Sequence, residues 1–288
     1  MSPSIFRTAL AAAVAASLAA APSALARKPV FGGATRDDQA IVLRTDGKAK
    51  KLKSAVIAWS AACKGGGYWA DGGAVTASSA QPGFTPDPRE LIVSRNKRGR
   101  FSGTQLVSSI SGDLSAGIVV DLAGKLSRRR ASGTLSAHVT LLDQAGNIVD
   151  GCDTGVVKWT ASRSLARIYG GKTSQDLPVV VRLDRARRNV SDLMIGWGSR
   201  ECVPDGFLSY GESFRGFALK GGRFGDAFSQ DYSLDDGSTR TFAYDVAGKV
   251  ARSIARGSFS VTIDERDPAG AQTLSCDTGP VSWSAASG

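Results

Sequence analysis

Histidine is nearly absent from this sequence of 288 residues, in which His138 is the only one. The four cysteines, at positions 63, 152, 202 and 276, form no Cys-x-x-Cys pair. Structural zinc sites use closely spaced Cys and His ligands, so these shortages argue against a zinc site. His138 falls on the outward side of a predicted strand, which favours a solvated side chain over a catalytic base. The sequence therefore predicts no metal and no cofactor.

Long apolar runs are also missing after the first 26 residues. The N-terminal segment contains Arg7, then an apolar run from Ala9 to Ala21, then Ala24-Leu25-Ala26. This order is typical of a cleaved signal peptide, and the run is shorter than the roughly 20 residues of a membrane span. We predict a signal peptide over residues 1–26 and a secreted or otherwise extracytoplasmic protein without a membrane span. A membrane anchor is the alternative.

What the sequence does contain is an internal repeat. Cys-Asp-Thr-Gly occurs at residues 152–155 and again at residues 276–279, and each copy is followed by a Val and a Trp at the same distance. Upstream, Phe31-Gly32-Gly33 corresponds to Tyr169-Gly170-Gly171. We predict two tandem domains, residues 27–163 and residues 164–288, and expect the residues that both share to be needed for folding.

The largest difference between the copies is an insertion of fifteen residues in the first copy, between Tyr68 and Phe101. We predict an inserted loop over residues 68–90, with two adjacent aromatic residues in a glycine-rich stretch. Phe207 occupies the position of Tyr68 in the second copy, which favours a structural role for Tyr68. Trp69 corresponds to Leu208 instead, and is the better candidate for ligand binding because binding residues often lie on loops.

The cysteines occur as one pair in each copy, which indicates disulfides in an exported protein. Four cysteines allow three pairings, but an ancestral single copy would have had only its own two. We therefore predict the disulfides Cys63–Cys152 and Cys202–Cys276.

Alternating apolar residues give the fold class. Ile118, Val120 and Leu122 are apolar at every second position, and Leu135, Ala137 and Val139 repeat the pattern. The second copy has apolar residues at the same places, which indicates strands lying on a core. Further strands are predicted at residues 41–44, 55–61, 90–94, 101–107 and 156–161. We predict an all-β protein of two antiparallel β-sandwich, or jelly-roll-like, domains.

Tryptophan also recurs in both copies, and we predict core positions for these side chains. The residues are Trp59, Trp159, Trp197 and Trp283.

The repeated Asp-Thr-Gly resembles the active-site motif of the pepsin-like aspartic proteases, in which two carboxylates share a proton. The resemblance covers three residues per copy. It departs from that family where Val156 and Pro280 follow the Gly, and Asp277 lies only 11 residues from the end of the sequence. We therefore predict that Asp153 and Asp277 form turns rather than a catalytic pair. A secreted hydrolase that uses these carboxylates is the alternative function.

Charge separates the two copies. Residues 27–163 contain twenty basic and eleven acidic residues, a surplus of nine, whereas residues 164–288 contain fifteen of each. The basic residues of the first copy occur in runs near 48–53, 95–100 and 128–130, where they could bind a polyanion by releasing counterions. A solubilising surface is the other interpretation.

The whole mature sequence also resembles a group of secreted actinobacterial proteins of unknown function. The shared features are a Tyr-Gly-Gly-x-Thr start, at Tyr169–Thr173, and a Cys-Asp-Thr-Gly-x-Val-x-Trp end, at Cys276–Trp283. The resemblance implies export and a β domain, but no activity.

We predict a non-catalytic binding or envelope-associated protein whose first domain engages an anionic or glycan polymer. Export argues against intracellular nucleic acid as a partner, so the candidates are teichoic acid, acidic polysaccharide or extracellular DNA. A purely structural surface protein is a further alternative. The candidate ligand-binding residues are Trp69, Tyr68, Lys51, Lys53, Arg98, Arg100 and Arg129.

Overall fold

The computed structural model of the protein describes residues 29–48, 50–66, 68–78, 90–95, 99–111, 114–199, 201–204 and 208–287. Within these ranges the chain forms β-strands joined by turns, and it contains no helix. The all-β prediction is therefore confirmed. The predicted signal peptide, residues 1–26, lies outside the described residues.

The first sheet contains ten strands. These are β1 (Val30–Thr35), β2 (Ala40–Thr45), β3 (Leu52–Cys63), β4 (Tyr68–Ser78), β5 (Glu90–Arg95), β6 (Arg100–Ser111), β7 (Leu114–Leu126), β8 (Arg130–Leu142), β9 (Ile148–Asp153) and β10 (Val157–Ser162). Every predicted strand of this copy has its counterpart here.

Strand pairing closes the first sheet into a barrel. The order runs from β10 through β1, β2, β3, β4, β5, β6 and β7 to β8, and β8 pairs again with β10. At the other end of the barrel β9 bridges β8 and β3. The predicted sandwich is therefore wrong for the first copy, because a sandwich would leave unpaired strands at its edges.

The second sheet contains eleven strands. These are β11 (Ile168–Thr173), β12 (Pro178–Leu183), β13 (Asn189–Ser199), β14 (Glu201–Val203), β15 (Leu208–Phe214), β16 (Phe217–Ala218), β17 (Arg223–Ser233), β18 (Thr239–Val250), β19 (Ile254–Arg266), β20 (Gln272–Asp277) and β21 (Val281–Ser287).

This second sheet curls in the same way but does not close. Its main order is β15, β13, β12, β11, β21, β19, β18 and β17, and the terminal strands β15 and β17 do not pair in this fully described part of the chain. The rings of Phe214 on β15 and Phe228 on β17 nevertheless approach with centroids 5.6 Å apart. The second copy is therefore an open barrel.

The alternating apolar residues fill both interiors. Ile118, Val120, Leu122, Leu135 and Val139 are all buried in the first core. All four repeated tryptophans are at most 5% exposed, which confirms their predicted core positions.

The two predicted disulfides are present. Cys63 on β3 is bonded to Cys152 on β9, and Cys202 on β14 is bonded to Cys276 on β20. Each disulfide joins two residues that lie directly opposite each other on paired strands, β3 and β9 in the first sheet and β14 and β20 in the second. Two disulfides indicate an oxidising environment.

The two sheets contact each other through their outer faces. A third core cluster contains Val30, Val42 and Val56 from the first copy and Val180 and Met194 from the second. Because Val42 and Val180 occupy equivalent positions in the repeat, the two copies contribute matching residues to this shared cluster.

Two further features of the first copy differ from what the sequence predicted. The predicted inserted loop, residues 68–90, contains strand β4 at Tyr68–Ser78, so the loop prediction is wrong for those residues. In addition, β4 and β5 pair in parallel, whereas we predicted an antiparallel fold throughout.

Candidate functional site

The topology of the first barrel brings its basic runs to one end. The turn between β2 and β3 is at the same end of the barrel as the start of β6. Paired strand termini connect the two places: the start of β3 pairs with the end of β2, the end of β2 pairs with the start of β1, and the start of β6 pairs with the end of β7. The same pairings place the β7–β8 turn and the end of β10 there. We call the exposed or half-exposed cations of this end the basic rim. They are Arg44, Lys48, Lys50, Lys51, Lys53, Arg100, Lys125, Arg128, Arg129, Arg130 and Arg163.

Backbone hydrogen bonds order the β2–β3 turn of the rim. The Asp46 carboxylate accepts hydrogen bonds from the N–H groups of Lys50, at 2.7 Å, and Lys51, at 3.2 Å. Burial alone would raise the pKa of Asp46, but these hydrogen bonds and the charges of Lys51 and Lys53 outweigh it and lower that pKa. The carboxylate is thus used inside the turn, while the lysine side chains extend into solvent.

Positive charges are crowded at the β7–β8 turn. The Arg163 Nε donates a hydrogen bond of 2.6 Å to the Arg128 carbonyl. Partial burial, followed by the charges of Arg128 and Arg129, lowers the pKa of Arg163. Among the described residues, none of the ion pairs within 4.0 Å involves a rim cation. The rim is therefore a surface of largely uncompensated positive charge.

A shallow groove on the outer surface of the barrel adjoins the rim. Its volume is about 500 Å³, and Arg100 and Lys125 line it together with Ser102, Ser132 and Thr134. Ser102 and Lys125 follow the phase opposite to buried Phe101 and Leu126, so this groove faces solvent. Cations next to hydroxyl groups suit a sugar that carries sulfate, phosphate or carboxylate groups.

The second copy has a basic end of its own. The turn between β12 and β13 corresponds to the β2–β3 turn, and the Asp184 carboxylate accepts a 2.9 Å hydrogen bond from the Arg188 N–H as Asp46 does from Lys50. The exposed cations at this end are Arg185, Arg187, Arg188, Lys220, Arg223, Lys249 and Arg252.

Four of the seven predicted binding residues belong to the basic rim: Lys51, Lys53, Arg100 and Arg129. Arg98 lies outside the described residues. The two aromatic candidates lie at the opposite end of the barrel, where Tyr68 pairs with Ala62 and Trp69 with Ala61. Strand β3 spans the 12 residues from Leu52 to Cys63, which at about 3.3 Å per residue separates the two ends by roughly 36 Å. The charges and the aromatics therefore do not form one site.

Strand alternation also reverses the predicted roles of the two aromatics. Ala61 is fully buried, so its cross-strand neighbour Trp69 points inward and packs against the first core. Tyr68, one residue earlier, is 79% exposed. Trp69, the better candidate for ligand binding on sequence, therefore lies half-buried against the core, because residues 68–78 form a strand rather than a loop.

The Asp-Thr-Gly motifs form matching turns. Asp153 accepts a hydrogen bond of 2.5 Å from the Gly155 N–H, and Asp277 accepts one of 2.7 Å from the Gly279 N–H. The intervening threonine hydroxyls accept hydrogen bonds from the backbone of β8 and β19. The second carboxylate oxygen of Asp153 lies 3.2 Å from His138 Nδ1, and both side chains are exposed. The hydrogen bonds to the Gly155 and Gly279 N–H groups confirm the predicted turn role of Asp153 and Asp277.

Each barrel also carries a half-buried acid on its inner face, and neither acid was among the predicted site residues. Burial raises the pKa of Asp71 on β4, although the hydrogen bond that its carboxylate accepts from the Gly72 N–H acts to lower it. Burial likewise raises the pKa of Glu212 on β15, although the Tyr244 hydroxyl donates a hydrogen bond of 3.1 Å to it. Asp71 and Gln105 border a cavity of about 300 Å³. The alternation of Leu208, Tyr210 and Phe214 around Glu212 was the signal that could have revealed its inward position.

Metal ligation finds little support in the described ranges. In that part of the chain, one cluster brings together three side chains of the types that bind metals, namely Asp150, Cys63 and Cys152. The sulfurs of the two cysteines are bonded to each other, so they are not thiolate ligands. No helix in the same ranges is long and apolar enough to cross a membrane.

No protein-family model, curated protein or solved structure matches this chain.

Proposed function

We propose that this is an extracytoplasmic, non-catalytic binding protein that engages anionic polysaccharide through the basic rim of its first barrel. The observation that carries the proposal is the convergence of separate basic runs at one end of the barrel. Such a surface attracts a polyanion because each neutralised charge releases a counterion. The two disulfides support an extracytoplasmic location, where anionic envelope polymers would be the available partners.

Two features support a polysaccharide as the polyanion. The groove beside Arg100 and Lys125 contains hydroxyl groups that can hydrogen-bond to sugars. Single-stranded nucleic-acid sites present aromatic side chains that stack on bases. This groove presents none to solvent, because its one aromatic residue, Phe101, is buried in the core. The secreted, actinobacterial resemblance is compatible with such a partner and stays a prediction.

Retention of the full chain on immobilised dextran sulfate, eluted with rising salt, tests the proposal. We expect retention on dextran sulfate and none on neutral dextran. The charge-reversal variant Lys50→Glu/Lys51→Glu should bind about tenfold more weakly at moderate salt, because two rim charges change sign.

The matched control changes the equivalent turn of the second copy, Arg185→Glu/Arg188→Glu, which alters the net charge by the same amount. We expect this variant to keep most of the binding. Equal weakening by both variants would show that net charge alone matters, and the rim would then not be a site.

A further inference from the structure

The second copy lacks a strand that the first copy has. In the first barrel β5 lies between β4 and β6, parallel to β4 at Thr76–Ser78 and antiparallel to β6 at Phe101–Thr104. In the second copy β15 and β16 take the place of β4, and β17 takes the place of β6. The chain from residue 208 to residue 287 is described without a gap, and only the turn 219–222 lies between β16 and β17.

The strand registers identify the residues that would contact the missing strand. Phe101 and Phe224 each lie opposite the equivalent glycine of the next strand, so Phe101–Thr104 corresponds to Phe224–Ala227. Val75 and Phe214 lie opposite the equivalent residues Ala55 and Leu193, so Thr76–Ser78 corresponds to Arg215–Phe217.

A cavity of about 680 Å³ lies at these positions. Its lining includes Arg215, Gly216 and Phe217 on one side and Gly225 and Asp226 on the other. We call this space between β15–β16 and β17 the seam. The seam is closed beside the turn 219–222, where the rings of Phe217 and Phe224 approach with centroids 5.5 Å apart, and it is open farther along, beside Ser213, Asp226 and Gln230.

The strand edges that face the seam carry main-chain groups directed toward it. The Gly198 N–H and carbonyl bond to the Gln175 side chain at 3.0 and 2.6 Å, so the backbone of Gly198 faces away from β15. Its neighbour Trp197 then bonds toward Tyr210, its partner on β15. By alternation, Gly211 and Ser213 direct their N–H and carbonyl groups toward the other edge of β15, where the Gly211 carbonyl accepts a 3.4 Å hydrogen bond from the Gln39 side-chain amide. Strand β17 pairs along its length with β18, on one side, which leaves its second edge toward the seam; there the Ala227 N–H donates a 2.9 Å hydrogen bond to the Asp226 carboxylate.

The seam combines an aromatic floor with acidic side chains. Phe214 and Phe228 meet across it with ring centroids 5.6 Å apart, and Asp38 and Asp226 line it. The Arg215 guanidinium lies 3.9 Å from Asp38 and 3.5 Å from Asp192, so together with Asp226 three carboxylates accompany one guanidinium at this surface. An occupant with basic side chains would complement this surface.

We propose that the second copy binds an extended basic segment of a partner protein as an added strand in the seam, parallel to β15 and antiparallel to β17. Main-chain hydrogen bonds to the two edges would supply affinity, and the acidic residues would select for positive charge. The first copy shows the strand order, because its own β5 lies between the equivalent strands β4 and β6. This site is independent of the basic rim.

The probe is a synthetic, fluorescently labelled peptide with the sequence of residues 88–97, which contains β5 and carries three basic residues and one acidic residue. We expect the full chain to bind it in a fluorescence anisotropy titration. A peptide with Val93→Pro should bind at least about tenfold more weakly, because proline removes a main-chain donor and disfavours strand pairing.

Two variants of the full chain test the position of binding. Gln230→Arg places a cation in the seam, since Gln230 lines the cavity, and should weaken binding of the basic peptide about tenfold. Ser229→Arg adds the same charge on the opposite face of β17, where Ser229 is exposed, and should leave binding unchanged.

Hydrogen exchange measured by mass spectrometry completes the test. The proposal requires that the peptide slow amide exchange in β15 and β17. It is overturned if the full chain does not bind the peptide at millimolar concentration, if protection falls on β4 and β6 instead, or if the two arginine variants bind alike.

Discussion

The first barrel is closed and the second is open, although the two copies share most of their strands. Closure depends on the additional chain that precedes Phe101 in the first copy, which contributes β5. The second copy crosses the same distance with the short turn 219–222. The strands that both copies have thus suffice for a curled sheet with its own core, and the closing strand is an addition to that scaffold.

Larger side chains take the place of the closing strand in the second copy. Phe214, Phe228 and Tyr244 form a mutual aromatic cluster with ring centroids 5.1 to 5.6 Å apart. By the strand registers, the corresponding residues of the first barrel are Val75, Gln105 and Val120. Aromatic contacts across the seam can hold β15 and β17 near each other without a ladder of hydrogen bonds.

The copies also differ in how their charges are distributed. The second copy is neutral in total, yet it has a basic end that corresponds to the basic rim. Its acidic residues lie partly at the other end, where the β17–β18 turn contains Asp235 and Asp236. Net charge by copy therefore describes the protein less well than charge at each end.

The largest expected effect concerns a glycine that both copies share, and it tests whether shared residues serve the fold. A Cβ on Gly133 would lie 1.8 Å from the Ala123 carbonyl oxygen, and one on Gly257 would lie 2.0 Å from the Ala247 carbonyl oxygen. Both positions also lie against a buried tryptophan ring. We expect Gly133→Ala and Gly257→Ala each to lower the free energy of unfolding by about 3 kcal/mol or more, measured by urea denaturation.

Gly117→Ala is the control, since a Cβ there would meet no atom within 4 Å. We expect it to change stability by less than about 0.5 kcal/mol. If only one of the two shared glycines proved sensitive, the equivalence of the two copies at this position would be in doubt.

A smaller effect is expected at a pair that differs between the copies. Arg240 and Glu265 face each other across β18 and β19 in the second copy, with the Arg240 Nε 2.8 Å from Glu265 Oε2. The first copy has Ala116 and Leu141 at the corresponding places, both buried. Glu265→Leu alone leaves the Arg240 charge unpaired and should cost about 2 kcal/mol. This is less than for a fully buried pair, because the two side chains are 24% and 17% exposed.

Replacing Arg240 as well tests whether the apolar pair of the first copy, Ala116 and Leu141, can take the place of the ion pair in the second. We expect Arg240→Ala/Glu265→Leu to recover to within about 1 kcal/mol of the parent, since no charge is then left unpaired. A double variant as unstable as Glu265→Leu would mean that the Arg240 hydrogen bond to the Tyr210 hydroxyl, at 3.1 Å, matters more than the ion pair.

The sequence predicted those parts of the fold that local patterns determine. Alternation placed Ile118, Val120 and Leu122 in the core, and the repeat resolved the choice among three disulfide pairings. The Asp-Thr-Gly turns were predictable because Asp and Gly have strong local conformational preferences.

Features that depend on long-range pairing were not predictable. The stretch around Gly72 and Gly73 is rich in glycine, which favours a loop, yet pairing with β3 makes it a strand and turns Trp69 inward. Closure of the barrel by β5 rests on a parallel pair that no local signal announces. The convergence of the basic residues likewise needed the topology, because Lys51 and Arg129 are far apart in sequence.

The smallest expected effect compares the two inner acids as the pH changes. Burial raises the pKa of Asp71 in one barrel and of Glu212 in the other, so the folded protein binds each proton more tightly than the unfolded chain does. The stabilisation from each group is then complete below its unfolded pKa and is lost as pH rises through its folded pKa. Asp71→Asn and Glu212→Gln keep a hydrogen-bond acceptor but cannot ionise. In urea denaturation at pH 4 and pH 8, each variant should therefore gain stability relative to the parent at the higher pH.

If the free energy of unfolding of parent and variant changed equally between the two pH values, the carboxyl would be well solvated. A response in only one barrel would show that closure of the sheet, rather than inward orientation alone, determines the burial of the acid.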